Sequence, residues 1–450
     1  MDEIEEMLRY IGVKSVDELF EDIPRSIRRD LAIAEGTDER EVVRDLERIL
    51  SKNLCARDYA FFLGGGVYFN FVPAIVKAIT ELPQFYTAYT PYQPEASQGI
   101  LQAVFEYQSL MAELLEMDVV NASMYDGGSA AAEAMLMARR IRWAGGDRKG
   151  QDMDSIAVAK NINPYRRRVL ETYAGVARIN LIYVDFDKKT GKIDMAGLDE
   201  KMSDDVFAFY MENPNFFGVV EDEVVRVRDV IGDRIFIVGV NPYSLGVIIP
   251  PGRYDADIVV GDAQPLGLSM NMGGPSLGVF ACKAKYVRRM PGRLIGMTAD
   301  ADGRRAFCMT LQTREQHIRR GRATSNICTN NTLCAIAVAV YLALIGGVGL
   351  RRLGIETMKK ARKLCRVINE FEHCLSPIFD GKFFNEFVAK IDGIKERYHD
   401  FVRNGVFPGI PIGDSFEGMN PNAILVSVGD AVTDEDIEKY RRALEVMASD

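Results

Sequence analysis

Apolar residues recur along this chain with two different spacings, and these spacings predict three regions. In the first region, residues 2–11 and 39–50 repeat apolar positions at the spacing of an amphipathic helix. In the second of these segments the apolar positions are Val42, Val43, Leu46, Ile49 and Leu50. We therefore predict that residues 1–60 form an amino-terminal helical arm.

Between residues 150 and 280, short continuous apolar segments alternate with helix-like segments. The apolar segments are Ser155–Ala159, Ile179–Val184, Val206–Tyr210, Ile235–Val240, Ile258–Gly261 and Leu277–Ala281. Strands that are apolar on both faces are typical of a parallel sheet covered by helices on both sides. The pattern predicts an α/β fold for residues 61–330, with a doubly wound and mostly parallel sheet.

The third region, residues 331–450, begins with a long uncharged helical segment that reaches Gly346-Gly347-Val348-Gly349. The segment is long enough to raise the question of a membrane span, but its alanines and its glycine stop indicate a buried helix. Further helix and strand patterns follow as far as residue 447. They predict connecting helices and a small carboxy-terminal α+β domain.

Composition narrows the possible functions of the chain. It has 450 residues, of which 26% are charged, and a net charge of −9, so nucleic acid is not an expected partner. The acidic start, Met1–Glu6, does not have the pattern of a signal peptide. Seven cysteines without a C-x-x-C pair indicate reduced thiols rather than a metal site. We expect a cytoplasmic protein without a metal ion.

Two segments carry candidate chemistry. Residues 86–95 place three tyrosines and two prolines in one loop, which fits either a packed turn or a contact site. Residues 119–138 are typical of a strand, a turn and a helix, with glycines and a serine at the helix start. Free N–H groups there fit either an anion site or an ordinary N-cap.

Several longer strings resemble one family. They are YTPYQPE (89–95) with SQG (97–99), NASMYDG (121–127), PNFFG (214–218), and LQTREQHIRR (311–320) with ATSNICT (323–329). They resemble the glycine cleavage system P-protein, glycine dehydrogenase (decarboxylating), and specifically its separate subunit 1, the alpha subunit. The resemblance covers essentially the whole chain in order.

The resemblance implies the aspartate-aminotransferase-like fold, fold type I of the pyridoxal-phosphate (PLP) dependent transferases. It also implies a partner subunit 2 (beta) that holds the PLP, and a lipoylated H-protein whose lipoyl group accepts the product. A heterotetramer of two alpha and two beta chains is the family expectation, without a membrane or nucleic acid.

A PLP enzyme needs a lysine amine and an acid beside the pyridine nitrogen. Gln264 and Pro265 stand where the resemblance places the lysine, and Asn241 stands where the acid is expected. We therefore predict that no residue of this chain is catalytic. Two alternatives remain open: a self-sufficient PLP enzyme of another reaction type that uses Lys283 or Lys285, and a purely structural partner of subunit 2.

On this interpretation, the intact polar motifs serve the partner's active site. The predicted contacts to that site or its substrate channel are Tyr89, Thr90, Tyr92, Gln93, Arg314, His317 and Arg319. Thr324, Ser325 and Asn326 are predicted to open the long helix and to contact a phosphate or another anion. The predicted remnant of this chain's own phosphate site is Tyr125, Asp126, Gly128 and Ser129. Asn70 replaces a histidine that is common in the family.

Overall fold

The computed structural model describes residues 3–29, 33–144, 154–271, 274–327 and 331–449. The chain divides into two compact units, Met1–Cys55 and Ala56–Asp450. The first unit contains two helices, α1 (Glu3–Ile11) and α2 (Glu39–Leu50), at the positions of the two predicted amphipathic segments. The predicted boundary between a large and a small domain near residue 330 stays a prediction.

The second unit is built from strands and helices in alternation. In chain order its described strands, β1 to β15, are Ala60–Phe61, Val119–Val120, Asp154–Ala159, Ile179–Val184, Val206–Asn213, Ile235–Val240, Ile258–Asp262, Gly278–Cys282, Leu294–Ala299, Arg305–Thr310, Cys374–Leu375, Glu386–Ile391, Val406–Phe407, Ile410–Pro411 and Ala423–Ser427. Its described helices, α3 to α13, are Ala74–Thr80, Pro83–Tyr86, Gln98–Leu115, Gly127–Ala144, Pro164–Ala177, Met195–Glu200, Val224–Ile231, Gln316–Arg319, Thr332–Ile368, Ile394–Arg403 and Asp434–Ser449.

The main sheet has seven strands in the order β2-β8-β7-β6-β5-β3-β4. Strands β7, β6, β5, β3 and β4 are parallel, whereas β8 and β2 each pair antiparallel with their neighbours. All six predicted strands are present, and the one predicted to end at Tyr210 continues to Asn213. Every residue of β5 and β6 is buried, which accounts for the unbroken apolar sequence of Val206–Met211 and of β6.

A second sheet of four antiparallel strands, in the order β11-β12-β15-β14, carries α12 and α13. Its core also includes Ala60 and Phe62, because β1 pairs with β13. The predicted carboxy-terminal α+β region is thus completed by residues from just before the main sheet.

The predicted glycine stop is present as a break within α11. Gly346 interrupts its helical geometry with a φ of 58° and a ψ of 178°, so two helical halves meet at this residue. The glycine is required because L-residues rarely adopt positive φ. By length and composition alone α11 could cross a membrane, but Cys334–Ala339 in its first half are buried in the main core.

Candidate functional site

A small pocket lies at the carboxyl ends of β5, β6 and β7, the edge at which open α/β sheets bind their ligands. Charged side chains of three strands line it: Glu212 after the middle of β5, Asp262 at the end of β7, and Glu386 on β12. Arg166 reaches the same pocket from helix α7. The pocket is therefore a cluster of ionisable groups within the fold.

The amino terminus of α6 contacts Asp262, a lining residue of this pocket, and its N–H groups are the ones that could bind a phosphate. Its first residue, Gly127, donates its N–H to Oδ2 of Asp262 at 3.2 Å. The N–H of Ser129 donates to Oδ1 of Asp126 at 2.8 Å. Asp262 also accepts hydrogen bonds from the N–H of Gln264 and the hydroxyl of Ser276. A carboxylate of this chain thus occupies the position that a phosphate would need.

Arg166 and Glu212 form a buried ion pair beside this carboxylate, with 3.0 Å between Nη1 and Oε1. Their side chains are 15% and 5% exposed. Glu212 also accepts from the Tyr210 hydroxyl and from the N–H of Asn163, each at 3.0 Å. Burial opposes the charge of Arg166, but the neighbouring carboxylate of Glu212 outweighs it and raises the pKa of the guanidinium. The guanidinium of Arg166 therefore stays protonated.

Glu386 connects the second sheet to the loop before α3. Its carboxylate accepts from the N–H of Gly65 and from the hydroxyl of Tyr68, both at 2.7 Å. Burial raises the pKa of Glu386 to about 7, although both hydrogen bonds oppose the shift. The charge of this pocket therefore changes near neutral pH.

The positions of the missing lysine and acid are filled by hydrogen bonds within the chain. Gln264 accepts from the N–H of Tyr68 at 2.8 Å and donates to the carbonyl of Tyr68 at 3.1 Å. Asn70 donates to the carbonyl of Pro265 at 3.1 Å. Asn241 caps a short helix by accepting from the N–H of Tyr243. These residues offer neither an amine nor a carboxylate, so the pocket does not fit PLP.

Lys283 and Lys285 lie at the opposite edge of the sheet. Strand β8 is antiparallel to β7, and its last residue, Cys282, pairs with Ile258 at the beginning of β7. Lys283 is held there by Asp255 at 2.6 Å and by Asp257 at 2.9 Å. Among the described residues, no group of three or more His, Cys, Asp or Glu side chains could hold a metal ion.

We expect that replacing Pro265 by lysine does not restore PLP binding. The new amine would still face a cradle held by Asp262, whose charge repels a phosphate by several kcal/mol at these distances. After borohydride reduction, mass spectrometry should find at least about tenfold less adduct at position 265 in Pro265→Lys than in Pro265→Lys combined with Asp262→Ser. Equal adduct in both variants would show that the carboxylate does not block the site.

A second group of polar side chains, the Tyr92 cluster, consists of Tyr92, Arg293, Glu315 and His317. Nη2 of Arg293 donates to the Tyr92 hydroxyl at 3.2 Å, and Nε lies 3.5 Å from Oε2 of Glu315. Nδ1 of His317 lies 3.6 Å from the same oxygen, and its ring stands edge-on to Tyr92 at 5.5 Å. Two predicted contact residues are thus brought together by two that the sequence analysis missed.

The Tyr92 cluster is open on one side. Tyr92 and the side chain of His317 are each 42% exposed, whereas Arg293 is only 5% exposed. Glu315 has a side chain that is 10% exposed, and its Oε1 is buried with no hydrogen-bond partner in the part of the chain that the structure describes. Buried polar atoms in native proteins nearly always have a partner. The described part of the chain therefore supplies no donor to this oxygen.

The other residues of the predicted tyrosine-loop contacts flank this cluster. Tyr89 is 81% exposed, Gln93 and Arg319 are also exposed, and Thr90 is half-buried. The carbonyl of Thr90 accepts from the N–H of Tyr92 at 2.9 Å, which fixes the bend of the loop.

Arg314 does not face the surface as expected. It is 7% exposed, and its guanidinium donates to the backbone carbonyls of Met290, Gly292 and Leu311. This corrects its expected position. The Arg314 guanidinium links the segment before β9, through Met290 and Gly292, to Leu311 after β10.

Thr324, Ser325 and Asn326 do not open the long helix, and this prediction is wrong. Helix α11 begins at Thr332. The three residues form a loop in which the N–H of Thr324 donates to the Arg314 carbonyl, and Asn326 accepts from Gln316. Cys328 and Thr329, the last two residues of the ATSNICT string, lie outside the described residues. If Thr324–Asn326 contact an anion, they do so from a loop and not through the free N–H groups of a helix terminus.

Sequence comparisons agree with one family. The model of the family "Glycine cleavage system P-protein" matches residues 1–444. Probable glycine dehydrogenase (decarboxylating) subunit 1 of Staphylothermus marinus is 45% identical over 93% of this chain and 91% of its own length. The protein of the same description from Aeropyrum pernix is 45% identical over 97% of this chain and 95% of its own length.

Solved structures extend the comparison to the fold. A crystal structure of glycine decarboxylase (P-protein) of the glycine cleavage system, in inhibitor-bound form, is 37% identical with a TM-score of 0.86 and covers 99% of this chain and 98% of its own. A sphingosine-1-phosphate lyase of Burkholderia pseudomallei is 12% identical, has a TM-score of 0.67 over 94% of this chain and 93% of its own, and shares the fold alone. The predicted aspartate-aminotransferase-like fold is confirmed, and the chain belongs to the glycine cleavage system P-protein family.

Proposed function

We propose that this chain is subunit 1, the alpha subunit, of a two-subunit glycine decarboxylase, and that its partner subunit 2 holds the PLP. The observation that carries the proposal is the contrast between its two polar sites. At the sheet edge Asp262 accepts from the first N–H of α6 and Gln264 stands in place of the lysine, whereas the Tyr92 cluster exposes Tyr92 and His317. A chain that cannot hold the cofactor keeps a polar surface for another chain.

In this reaction the bond between the α-carbon and the carboxylate of glycine breaks, and CO2 leaves. The aminomethyl carbon bonds one sulfur of the lipoyl disulfide, while the other sulfur takes the carboxyl proton. When bound in subunit 2, PLP accepts the electrons that decarboxylation leaves at the α-carbon. We assign the lipoyl disulfide to the carrier H-protein.

The Tyr92 cluster has the chemistry to complete the mouth of such a site. Arg293 pairs with Glu315 and donates a hydrogen bond to the Tyr92 hydroxyl. The Tyr92 ring is therefore already positioned before the partner binds. Nδ1 of His317 lies against the carboxylate of Glu315. The other ring nitrogen, Nε2, is therefore the one available to a partner or substrate. The contacts to subunit 2 are assigned to the exposed side chains of Tyr92 and His317.

The remaining features of the assembly are part of the same proposal. Two alpha and two beta chains form the complex, and the enzyme works in the cytoplasm without a membrane or nucleic acid. The net charge of −9 and the reduced state expected for seven cysteines support this setting.

The test is the exchange of labelled bicarbonate into glycine, measured with subunit 2 alone and with both chains. Addition of the wild-type chain should raise the exchange. His317→Gln and Tyr92→Phe should each lower it by about tenfold, because each removes one polar contact worth roughly 1–1.5 kcal/mol.

Tyr86→Phe is the matched control. Tyr86 belongs to the same segment and is 67% exposed, and the substitution removes the same hydroxyl, so exchange should stay at the wild-type level. If the mixture exchanges no more than subunit 2 alone, the proposal fails. If the mixture is active but both cluster variants equal wild type, the chain is a purely structural partner.

A further inference from the structure

The amino-terminal unit has an unusual surface. Among residues 3–29 and 33–55, no residue is buried. Sixteen large apolar side chains between Ile4 and Leu54 are exposed, about half of all that are exposed in the described chain. Single exposed apolar residues are normal, but a concentration of this kind marks an interaction surface.

The exposed apolar residues lie on one face of each helix. On α1, Ile4, Met7 and Ile11 follow helical spacing and are 54%, 64% and 55% exposed. On α2 the corresponding side chains, 40–58% exposed, are Val42, Val43, Leu46, Ile49 and Leu50. An ion pair between Asp45 and Arg48 lies on the polar side of α2. An amphipathic helix normally turns such an apolar face to a core.

These helices need a surface in order to form. Helix α1 has nine residues and α2 has twelve, and isolated helices shorter than about 12–15 residues are marginal in water. The described residues of the unit form no buried core that could replace that surface. Its helical state therefore depends on a surface that covers the two apolar faces.

The charge of the unit identifies the chemistry of that surface. Residues 1–55 contain 15 acidic and 9 basic residues, so this eighth of the chain carries six of its nine net negative charges. A second copy of the unit would bring the same charge into contact and be repelled. An apolar groove rimmed by lysine and arginine would be attracted.

We propose that α1 and α2 are the docking element for subunit 2, and that they lie with their apolar faces in a basic-rimmed apolar groove of that chain. This inference rests on the function proposed above. It adds an interface that is formed by α1 and α2 and shares no residue with the Tyr92 cluster. The arm gives affinity for the partner, while the cluster acts at the shared site.

The test uses the full-length chain with Met7→Gln and Leu46→Gln combined, and Val176→Gln as the matched control. Val176 is 87% exposed on α7, outside the arm. Binding of purified subunit 2 should weaken at least about tenfold in the double variant and stay unchanged in the control. Because all three side chains are exposed in the free chain, its unfolding midpoint should be the same for every variant.

Two further readouts separate the arm from the rest of the assembly. Bicarbonate exchange at saturating subunit 2 should equal wild type, because the arm adds affinity only. Raising the salt concentration should weaken wild-type binding, because a basic rim is screened.

Unchanged binding of the double variant would overturn the inference while leaving the proposed function intact. A lower unfolding midpoint of the free double variant would overturn it as well, because the arm would then pack on its own chain. Self-association of wild type that the double variant abolishes would assign the arm to a second copy instead. If wild type bound no subunit 2 at all, this inference and the proposed function would both fail.

Discussion

Replacing Arg166 by methionine is expected to lower the free energy of unfolding of the isolated chain by about 3–5 kcal/mol. The substitution keeps most of the side-chain volume but leaves Glu212, which is only 5% exposed, as a buried carboxylate without its cation. Asp262, which ends β7 and accepts from the first N–H of α6, would lose the same compensating charge. Urea unfolding at neutral pH measures the loss.

Arg167→Met is the neighbouring control. Its side chain is 28% exposed, and Nε lies 3.7 Å from Glu171 one helical turn away, so we expect a loss of at most about 1 kcal/mol. Combining Arg166→Met with Glu212→Gln should recover part of the stability, because no unpaired charge then remains at Glu212. Equal losses for Arg166→Met and Arg167→Met would contradict the buried ion pair.

Glu386→Gln is expected to make the stability of the chain less sensitive to pH. Burial raises the pKa of Glu386 from 4.5 to about 7, so the folded state holds this proton more tightly than the unfolded state. Wild type therefore loses the contribution of the protonated form as pH rises from about 4.5 to about 7. Glutamine does not ionise, so the variant should gain about 2–3 kcal/mol relative to wild type over this interval.

Urea titrations from about pH 5 to about pH 8 measure this change as a difference between wild type and variant. Glu221, whose pKa burial also raises to about 7, is present in both proteins and cancels in that difference. Parallel stability curves for the two proteins would show that Glu386 does not titrate in this interval.

The main sheet could be predicted because its strands are buried on both faces. Segments such as Val206–Tyr210 and Ile235–Val240 must be apolar without interruption, and this property is local to each strand. The absence of the lysine could also be predicted. The resemblance places the lysine just after β7, and β7 was recognisable from its apolar sequence, so Gln264 and Pro265 could be assigned to that position.

The ionic pocket could not be predicted from local pattern. Arg166 lies on α7 and Glu212 on β5, and only the order of the parallel strands brings them within 3.0 Å. Arg293 and Glu315 are likewise 22 residues apart, and nothing in the spacing marks either as buried. Glu315 lies inside the LQTREQHIRR string, between Arg314 and His317.

The start of α11 was misplaced for a different reason. Thr, Ser and Asn are favoured both at helix N-caps and in turns, because their side chains bond nearby backbone groups in either setting. Thr324–Asn326 form such a turn, and the residue before the helix is Asn331, whose side chain donates to the carbonyls of Tyr125 and Ser276. Those contacts link segments that are distant in the sequence, so no local sequence pattern around residue 331 predicts them.

The carboxylate of Asp262, which accepts from the first N–H of α6, has a consequence for how the stability of the chain depends on its surroundings. An enzyme stabilised by a dissociable cofactor gains stability only in proportion to the free cofactor around it. Here the anion in the cradle is a covalent part of the polypeptide, so its local concentration never changes. The stability of this cradle therefore does not vary with the concentration of a free anion.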